Sequence, residues 1–149
     1  MSVDIEEQYD KIYRYCYFKV KHRQLAEDIT QETFLRFFES GYRDAGRPLA
    51  YLYTIARNLC VDEFRRIRAE ELSEEIYEEG FEERVVQNLS LQKAMEELSK
   101  EEQELLLLRY VNELSFADLG KLYGKSRFAL HRELSKITTE LERRLSDES

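Results

Sequence analysis

The chain is poor in residues that interrupt helices. Its 149 residues include one proline, five glycines, two cysteines and no tryptophan. So few chain breakers argue against a turn-rich β architecture. Charged residues make up 36% and hydrophobic residues 42% of the chain, which is typical of a highly helical protein with modest cores. The composition therefore predicts an all-α fold.

Long apolar runs and targeting signals are also missing. No segment has the apolar length needed to cross a bilayer, and residues 1–7 lack the basic and apolar parts of a signal peptide. We therefore expect a cytoplasmic protein.

Cysteine and histidine are too few to indicate a metal site. The histidines, His22 and His131, are far apart in sequence, and Cys16 and Cys60 fall on apolar helical positions. We expect both cysteines to be reduced core residues. The sequence also has no recognisable nucleophile–base pair and no phosphate-binding glycine loop. It therefore predicts no enzymatic activity, no cofactor and no metal.

The net charge of −8 is unevenly distributed. Residues 69–104 carry 13 acidic and 3 basic groups, whereas residues 47–68 carry 2 acidic and 5 basic groups. A second basic segment, residues 121–144, carries 3 acidic and 7 basic groups. The acidic total therefore hides two segments that are candidate DNA-facing surfaces.

Apolar residues recur at helical spacing in three N-terminal segments, 4–21, 24–40 and 48–68. The first is best explained by core packing. The second has a predicted inner face of Ala26, Ile29, Thr33 and Phe37, widened by Phe34 and Phe38. Its outer face groups Asp28, Gln31, Glu32, Leu35 and Glu39. An apolar centre with a polar rim is typical of protein-docking surfaces, although a solvated acidic face with one stray leucine is the alternative.

The third helix begins at the only proline, Pro48, which suits a first helical turn. Its predicted buried stripe is Leu52, Ile55, Ala56, Leu59 and Cys60. The opposite face combines an aromatic, a hydroxyl, an amide, a valine and an arginine: Tyr51, Thr54, Asn58, Val61 and Arg65. Such groups can stack on unpaired bases and reach phosphates. From this pattern alone, a solvated amphipathic helix with a basic last turn explains the residues equally well.

The remaining segments divide the chain in two. Residues 69–83 contain eight glutamates and predict an interdomain linker. Beyond them, Ser99 with Glu102 and Ser115 with Asp118 predict two capped helix starts. We expect residues 105–108, Tyr110 and Val111 to be core.

A short helix, a break at Gly124 and a basic helix that Ser126 can cap form the parts of a helix-turn-helix. The second of these helices is expected to run to about residue 145. The candidate base-contacting residues at its start are Ser126, Arg127, Phe128, His131, Arg132 and Lys136.

Three stretches in this order resemble the extracytoplasmic-function (ECF) sigma factors of the sigma-70 family. They are residues 26–35 (AEDITQETFL), 50–62 (AYLYTIARNLCVD) and 114–120 (LSFADLG). The resemblance implies a promoter-melting domain (region 2, residues 1–68), a linker (69–83) and a helix-turn-helix domain (region 4, residues 84–149). A sigma factor binds core RNA polymerase and directs it to promoters.

The resemblance also implies roles for individual residues. Asp28, Gln31, Glu32 and Leu35 would dock on the β′ clamp helices, and region 4 on the β flap. The 41–47 loop with Tyr42, Arg43 and Arg47, and the helix face with Tyr51, Thr54 and Asn58, would hold a flipped base of the minus-10 element. The expected phosphate contacts are Arg57, Arg65, Arg66 and Arg68. The last helix would enter the major groove of the minus-35 element.

Two departures from the family pattern concern DNA contacts. Tyr51 stands where tryptophan is usual. Residues 127–134 (RFALHREL) replace the usual small-Gly-Thr-Val-basic-Ser-Arg-Leu, so Ala129 lacks a hydroxyl and Glu133 brings an acid where arginine is common. An acid near phosphates weakens binding, although glutamate can accept a hydrogen bond from cytosine N4.

A different class of function fits part of the same sequence. A helix-turn-helix regulator could use only the last helices for DNA and the first three for dimerisation or effector binding, and it would not need the outer face at residues 28–35. For a sigma factor, an anti-sigma factor is a further partner class, whose identity the sequence does not give.

Overall fold

The computed structural model of the chain describes residues 3–41, 46–70 and 89–148. Its helices are α1 (Ile5–Val20), α2 (Arg23–Ser40), α3 (Pro48–Glu70), α4 (Leu89–Glu96), α5 (Lys100–Leu106), α6 (Phe116–Tyr123) and α7 (Arg127–Glu148), and a π-helical turn (Leu107–Val111) continues α5. No strand occurs in these three ranges, which confirms the all-α prediction. The chain divides into two compact units, residues 1–79 and 80–149. None of the described helices is both long enough and apolar enough to cross a membrane.

Helices α1, α2 and α3 pack on one another in the first unit. Asp4 caps α1 by accepting from the backbone N–H of Glu7, and His22 caps α2 by accepting from that of Leu25. Gly41 ends α2 in the left-handed conformation, with φ of +70°, which glycine adopts without steric strain. The helices begin and end within two residues of the predicted positions.

The core of the first unit contains aromatic and small residues from all three helices. Ile12, Cys16, Phe37, Leu52 and Cys60 are among the buried side chains. Both cysteines are buried and reduced, as predicted. Ala26, Ile29, Thr33 and Phe34 are also buried, which confirms the predicted inner face of α2.

A buried hydrogen bond joins α1 to α3. Tyr53 is fully buried, and its hydroxyl donates to Oε1 of Gln8 at 2.9 Å. The Tyr53 ring also meets Tyr15 edge to face, with ring centroids 6.0 Å apart. The bond satisfies two polar groups that would otherwise be desolvated without partners. It fixes the rotation of α3, and therefore which of its side chains face outward.

The predicted acidic segment lies mostly outside the described residues. Only its first two positions, 69 and 70, are described, and they continue α3. The residues that directly follow the predicted linker lie outside the described residues as well, and the first described helix of the second unit begins at Leu89.

The second unit is built from α4 to α7. Ser99 and Glu102 form the predicted capping box at the start of α5, and Ser115 caps α6 by accepting from the backbone N–H of Asp118. The buried core is lined mainly by leucines: Leu98, Leu105, Leu106, Leu108, Leu114, Leu119, Leu122, Leu130 and Leu134, with Ile137.

The π-helical turn overturns one prediction. Tyr110 and Val111 were expected in the core, but they are 58% and 49% exposed. Residues 107–111 are wound with i→i+5 hydrogen bonds, including Asn112 N–H to the carbonyl of Leu107 at 2.9 Å. The wider turn adds about one residue relative to an α-helix. It therefore rotates these two side chains out of the buried stripe.

The segment from α6 to α7 has the geometry of a helix-turn-helix. Gly124 follows α6 with φ of +67°, and the backbone N–H of Lys125 donates to the carbonyl of Gly120 at 3.1 Å. A β-carbon at Gly120 would lie 2.8 Å from the carbonyl oxygen of Lys125. Ser126 then caps α7 by accepting from the backbone N–H of Ala129 at 3.1 Å, as predicted.

Candidate docking face and nucleic-acid interfaces

The outer face of α2 presents the four predicted polymerase-binding residues together. Asp28, Gln31 and Leu35 are exposed, and Glu32 is half-buried. They fall on one side of the helix because residues three and four apart are neighbours on its surface. We define these four residues, with Phe38 added below, as the docking face.

The polar groups of the docking face are held by neighbours on the same helix. Gln24 donates to Asp28 at 2.9 Å, Gln31 donates to Glu27 at 3.0 Å, and Arg36 pairs with Glu32 at 2.8 Å. These bonds reduce the number of rotamers that each side chain samples before a partner arrives.

Tyr9 of α1 is hydrogen-bonded to this network. Its hydroxyl donates to Oε2 of Glu27 at 2.8 Å, the same oxygen that accepts from Gln31. Burial and the bond to Glu27 both raise the pKa of the Tyr9 phenol. Segment 4–21, which contains Tyr9, was predicted only to pack in the core, and its helical spacing gave no signal of this polar role.

The apolar centre of the docking face is larger than predicted. Leu35 is 52% exposed, and Phe38, expected to widen the inner face, is 48% exposed. Phe38 lies against Phe37 and Phe34, with centroid distances of 6.0 and 6.3 Å. The inner face is already filled by Phe34 and Phe37, so the third ring is left on its rim. Phe38 therefore adds an aromatic side chain to the surface beside Leu35.

The face of α3 that was predicted to contact DNA is partly exposed to solvent. Asn58, Val61 and Arg65 are exposed, whereas Tyr51 and Thr54 are half-buried. The Tyr51 ring lies 6.0 Å from that of Phe37, tilted by 39°. The Thr54 hydroxyl donates to the carbonyl of Ala50 at 2.8 Å. Only part of the Tyr51 ring is therefore exposed, whereas Asn58 is exposed on the same face.

The arginines near α3 differ in their surroundings. Arg65 is exposed and Arg57 is half-buried. Arg66 is exposed but pairs with Glu63 at 2.5 Å. Arg47 is exposed just before α3 begins. Tyr42, Arg43 and the side chain of Arg68 lie outside the described residues.

The outer face of α7 forms a continuous stripe. Its exposed members are Arg127, Phe128, His131, Arg132, Ser135 and Lys136, whereas Leu130, Leu134 and Ile137 anchor the opposite side in the core. This places five of the six predicted minus-35 residues on one surface, with Ser126 as the N-cap of the helix. We call this stripe the recognition face.

One residue of the recognition face, His131, is stacked on an aromatic ring of another helix. The rings of His131 and Phe116 are stacked with centroids 5.4 Å apart, and the guanidinium of Arg109 lies 4.3 Å from the centre of the same Phe116 ring. Arg109 also donates to the carbonyl of Leu114 at 2.9 Å. Stacking limits the rotamers of the His131 side chain. Neither Arg109 nor Phe116 was singled out from sequence, because their contacts join different helices.

The unusual acid of the recognition helix has a partner. Glu133 is half-buried, and its carboxylate lies 2.8 Å from Nζ of Lys125. The hydrogen bond that Lys125 donates to Glu133 is the main cause that raises the pKa of the Lys125 ammonium. The pair neutralises the acid that was expected to repel phosphates, but it also occupies a lysine at the start of the helix.

Two family models match the two units of the chain. Sigma-70 region 2 matches residues 5–70, and sigma-70 region 4 matches residues 88–137. The chain belongs to the sigma-70 family. Region 2 contains the docking face and the α3 surface, and region 4 contains the recognition face.

Relatives narrow the group within the family. The chain is 36% identical to the ECF RNA polymerase sigma factor BldN of Streptomyces coelicolor over 160 residues, covering 96% of this chain and 60% of that protein. It is 27% identical to the RNA polymerase sigma factor YlaC of Bacillus subtilis, covering 92% and 83%. The predicted membership in the ECF sigma factors is confirmed. The alternative of a helix-turn-helix regulator is not favoured, because the N-terminal helices match region 2.

A solved structure shows the same fold. The sigma factor RpoE of Bartonella quintana, solved in complex with the anti-sigma factor NepR, matches with a TM-score of 0.63. The match covers 97% of this chain and 98% of that one, at 20% sequence identity.

Proposed function

We propose that the chain binds core RNA polymerase and directs it to promoters, with region 2 opening the minus-10 element and region 4 holding the minus-35 element. The observation behind this proposal is the presence of both a docking face and a recognition face in a chain whose two units match sigma-70 regions 2 and 4. The protein acts in the cytoplasm, where the polymerase and the chromosome are, and catalyses no covalent step of its own.

The docking face binds the β′ clamp helices. Leu35 and Phe38 supply an exposed apolar centre, and Asp28, Gln31 and Glu32 supply the polar rim. Binding removes the apolar side chains from water, which is the usual source of energy at the centre of an interface. Region 4 contacts the β flap.

The α3 surface holds the minus-10 element. Asn58 projects an amide with two donors and one acceptor group, which suits the edge of an extruded base. The half-exposed Tyr51 ring supplies a stacking surface, and Arg47, Arg57, Arg65 and Arg66 lie near enough in sequence to contact the phosphates around it. Extruding a base costs a few kcal/mol, so these contacts must form together with the opened DNA.

The test is run-off transcription with core polymerase on genomic fragments, followed by mapping of the start sites. We expect the chain to initiate at sites that share an upstream and a downstream element, and to bind them with an affinity that falls steeply as salt rises. An affinity that is insensitive to salt, or a chain that starts transcription at no site, would contradict the proposal.

Two variants separate the two steps. Leu35→Arg places a charge in the apolar centre and should weaken core binding by roughly 30-fold or more, as for a typical hot-spot residue. Asn58→Ala should leave core binding unchanged and reduce open-complex formation. Each variant serves as the control for the other, and both positions are exposed, so folding is preserved. If Leu35→Arg still binds core polymerase at wild-type affinity, the docking assignment is wrong.

An anti-sigma factor is the second class of partner. A protein that covers Leu35 and Phe38 would block docking without touching the recognition face. We expect such a partner to compete with core polymerase and to lose affinity in Leu35→Arg. A competition pull-down with purified core polymerase measures whether the two partners compete. Simultaneous binding of both partners would show that they do not share a binding surface.

A further inference from the structure

Phe128 is an unusual residue for a protein surface. It is 80% exposed, more than any other large apolar side chain that the structure describes. The side chains that anchor α7 in the core are Leu130, Leu134 and Ile137, so Phe128 contributes little to the packing of its own helix. A phenyl ring left in water forgoes the free energy that its burial would release. A ring in this position is best explained by a partner that covers it.

The neighbourhood of Phe128 identifies the class of partner. The exposed side chains beside it on the recognition face include Arg127, His131 and Arg132, and residues 121–144 carry 7 basic and 3 acidic groups. Cations around an apolar side chain suit an anionic polymer better than an apolar protein groove. The second helix of a helix-turn-helix presents its N-terminal residues to base edges in the major groove, and Phe128 is the second residue of α7.

The major groove offers one kind of apolar group that a phenyl ring can contact. Phenylalanine has no donor and no acceptor, so it cannot read the polar pattern of a base edge. The apolar group on that surface is the C5-methyl of thymine, and phenylalanine is among the side chains that contact it. We infer that Phe128 is a specificity-determining residue that packs on the methyl group of a thymine in the minus-35 element. The inference rests on the proposed function of region 4.

The backbone around Phe128 is fixed before DNA binds. Ser126 caps the helix two residues earlier, and Leu130 is fully buried two residues later. His131, one turn along the same face, is held by its stack on Phe116. A phenyl ring has only two side-chain torsions, so ordering it requires little conformational entropy. In the family pattern quoted above, glycine is usual at this position, so the methyl readout would distinguish this chain from relatives with that pattern.

The test replaces the methyl group alone. Holoenzyme is assembled from the full chain and core polymerase, and its promoters are mapped by run-off transcription. Each thymine of the upstream element is then replaced in turn by deoxyuridine, which keeps the base pair and removes the methyl. At one thymine we expect the substitution to lower the affinity of the wild-type holoenzyme about fourfold. This factor corresponds to the free energy of about 0.8 kcal/mol gained by burying one CH₂-sized group.

Phe128→Ala provides the matched comparison. Its holoenzyme should bind the thymine promoter more weakly and should be insensitive to deoxyuridine at the same position, whereas Phe128→Leu should keep part of the sensitivity. Circular dichroism and binding to core polymerase should be unchanged, because the side chain is exposed.

Several results would overturn the inference. Among them are an upstream element without thymine, a wild-type holoenzyme that does not distinguish deoxyuridine, and a Phe128→Ala holoenzyme with undiminished sensitivity. Weakened binding of Phe128→Ala to core polymerase would assign the ring to a protein contact instead. A wild-type chain that protects no upstream DNA at all would contradict the proposed function itself, which is a different and separately recognisable outcome.

Discussion

The ion pair between Lys125 and Glu133 leads to a quantitative prediction for DNA binding. Glu133→Gln keeps the size of the side chain and removes its charge. The two side chains are 40% and 41% exposed, so solvent screens the pair and its contribution to folding is at most about 1 kcal/mol. The variant should therefore fold normally, and any change in DNA binding can be attributed to charge.

We expect the variant to gain one contact between Lys125 and a DNA phosphate. In the wild type the Lys125 ammonium is held 2.8 Å from the Glu133 carboxylate, and in the variant it is released at the start of the recognition helix. One more lysine–phosphate contact steepens the slope of log affinity against log salt by roughly 0.9. Between about 50 and about 200 mM salt, the variant should lose about 3.5 times more affinity than the wild type. At low salt it should bind more tightly.

Fluorescence anisotropy of a labelled promoter duplex, titrated with holoenzyme at several salt concentrations, measures both quantities. Glu142→Gln is the control, since it removes the same charge from an exposed position on the same helix nine residues further on. Equal slopes for wild type and Glu133→Gln, or an equal change in Glu142→Gln, would refute the reasoning. Weaker binding of Glu133→Gln, with a lost preference for cytosine at one position, would instead show that Glu133 accepts a hydrogen bond from a base.

Three further substitutions test contacts within the two units. Tyr53→Phe removes the hydroxyl that donates to the buried Gln8, and it should lower the free energy of unfolding by about 1–3 kcal/mol, measured by urea denaturation. Gly120→Ala places a β-carbon 2.8 Å from the carbonyl oxygen five residues later, and it should destabilise the chain by about 1–3 kcal/mol in the same assay. Phe116→Ala removes the ring that holds His131, and it should weaken promoter binding by about 2- to 10-fold without affecting core binding.

Matched variants make these three results interpretable. Tyr110→Phe removes a hydroxyl from a side chain that is 58% exposed, so its stability should stay near that of the wild type. A β-carbon at Gly46 would meet no atom of the described residues within 4 Å, so Gly46→Ala should be well tolerated. If Tyr53→Phe is as stable as Tyr110→Phe, the buried hydrogen bond does not contribute to stability as argued. If Gly120→Ala is as stable as Gly46→Ala, the close approach at Gly120 does not constrain the chain as argued. For Phe116→Ala, a loss of core binding equal to the loss of promoter binding would indicate general misfolding of region 4.

The sequence predicted well those features that depend on local chemistry. Helix starts at Pro48 and Ser126 follow from backbone requirements within a few residues, and the buried positions of α2 at Ala26, Ile29, Thr33 and Phe37 follow from helical spacing. The outer face of α2 was likewise predicted from spacing alone. In each case the determining interactions lie within one or two helical turns.

The missed features depend on which element packs against which. Tyr53 was not assigned to any face, although it is fully buried, because its partner Gln8 is 45 residues away. Phe38 was assigned to the core, since a periodic pattern does not show that two other rings already fill the available space. Tyr110 and Val111 were misplaced because a helical wheel assumes a constant period, which the π-helical turn breaks.

The buried bond between Gln8 and Tyr53 also has a consequence for the order in which the protein is made. Both partners, and the three helices described for the first unit, lie within the first 70 residues. A ribosome that adds about 5–20 residues per second needs about 4–16 s to synthesise the next 79. The core of the first unit can therefore close on the nascent chain before the helix-turn-helix has been translated. The proposed docking face is then completed first, and the recognition face follows seconds later.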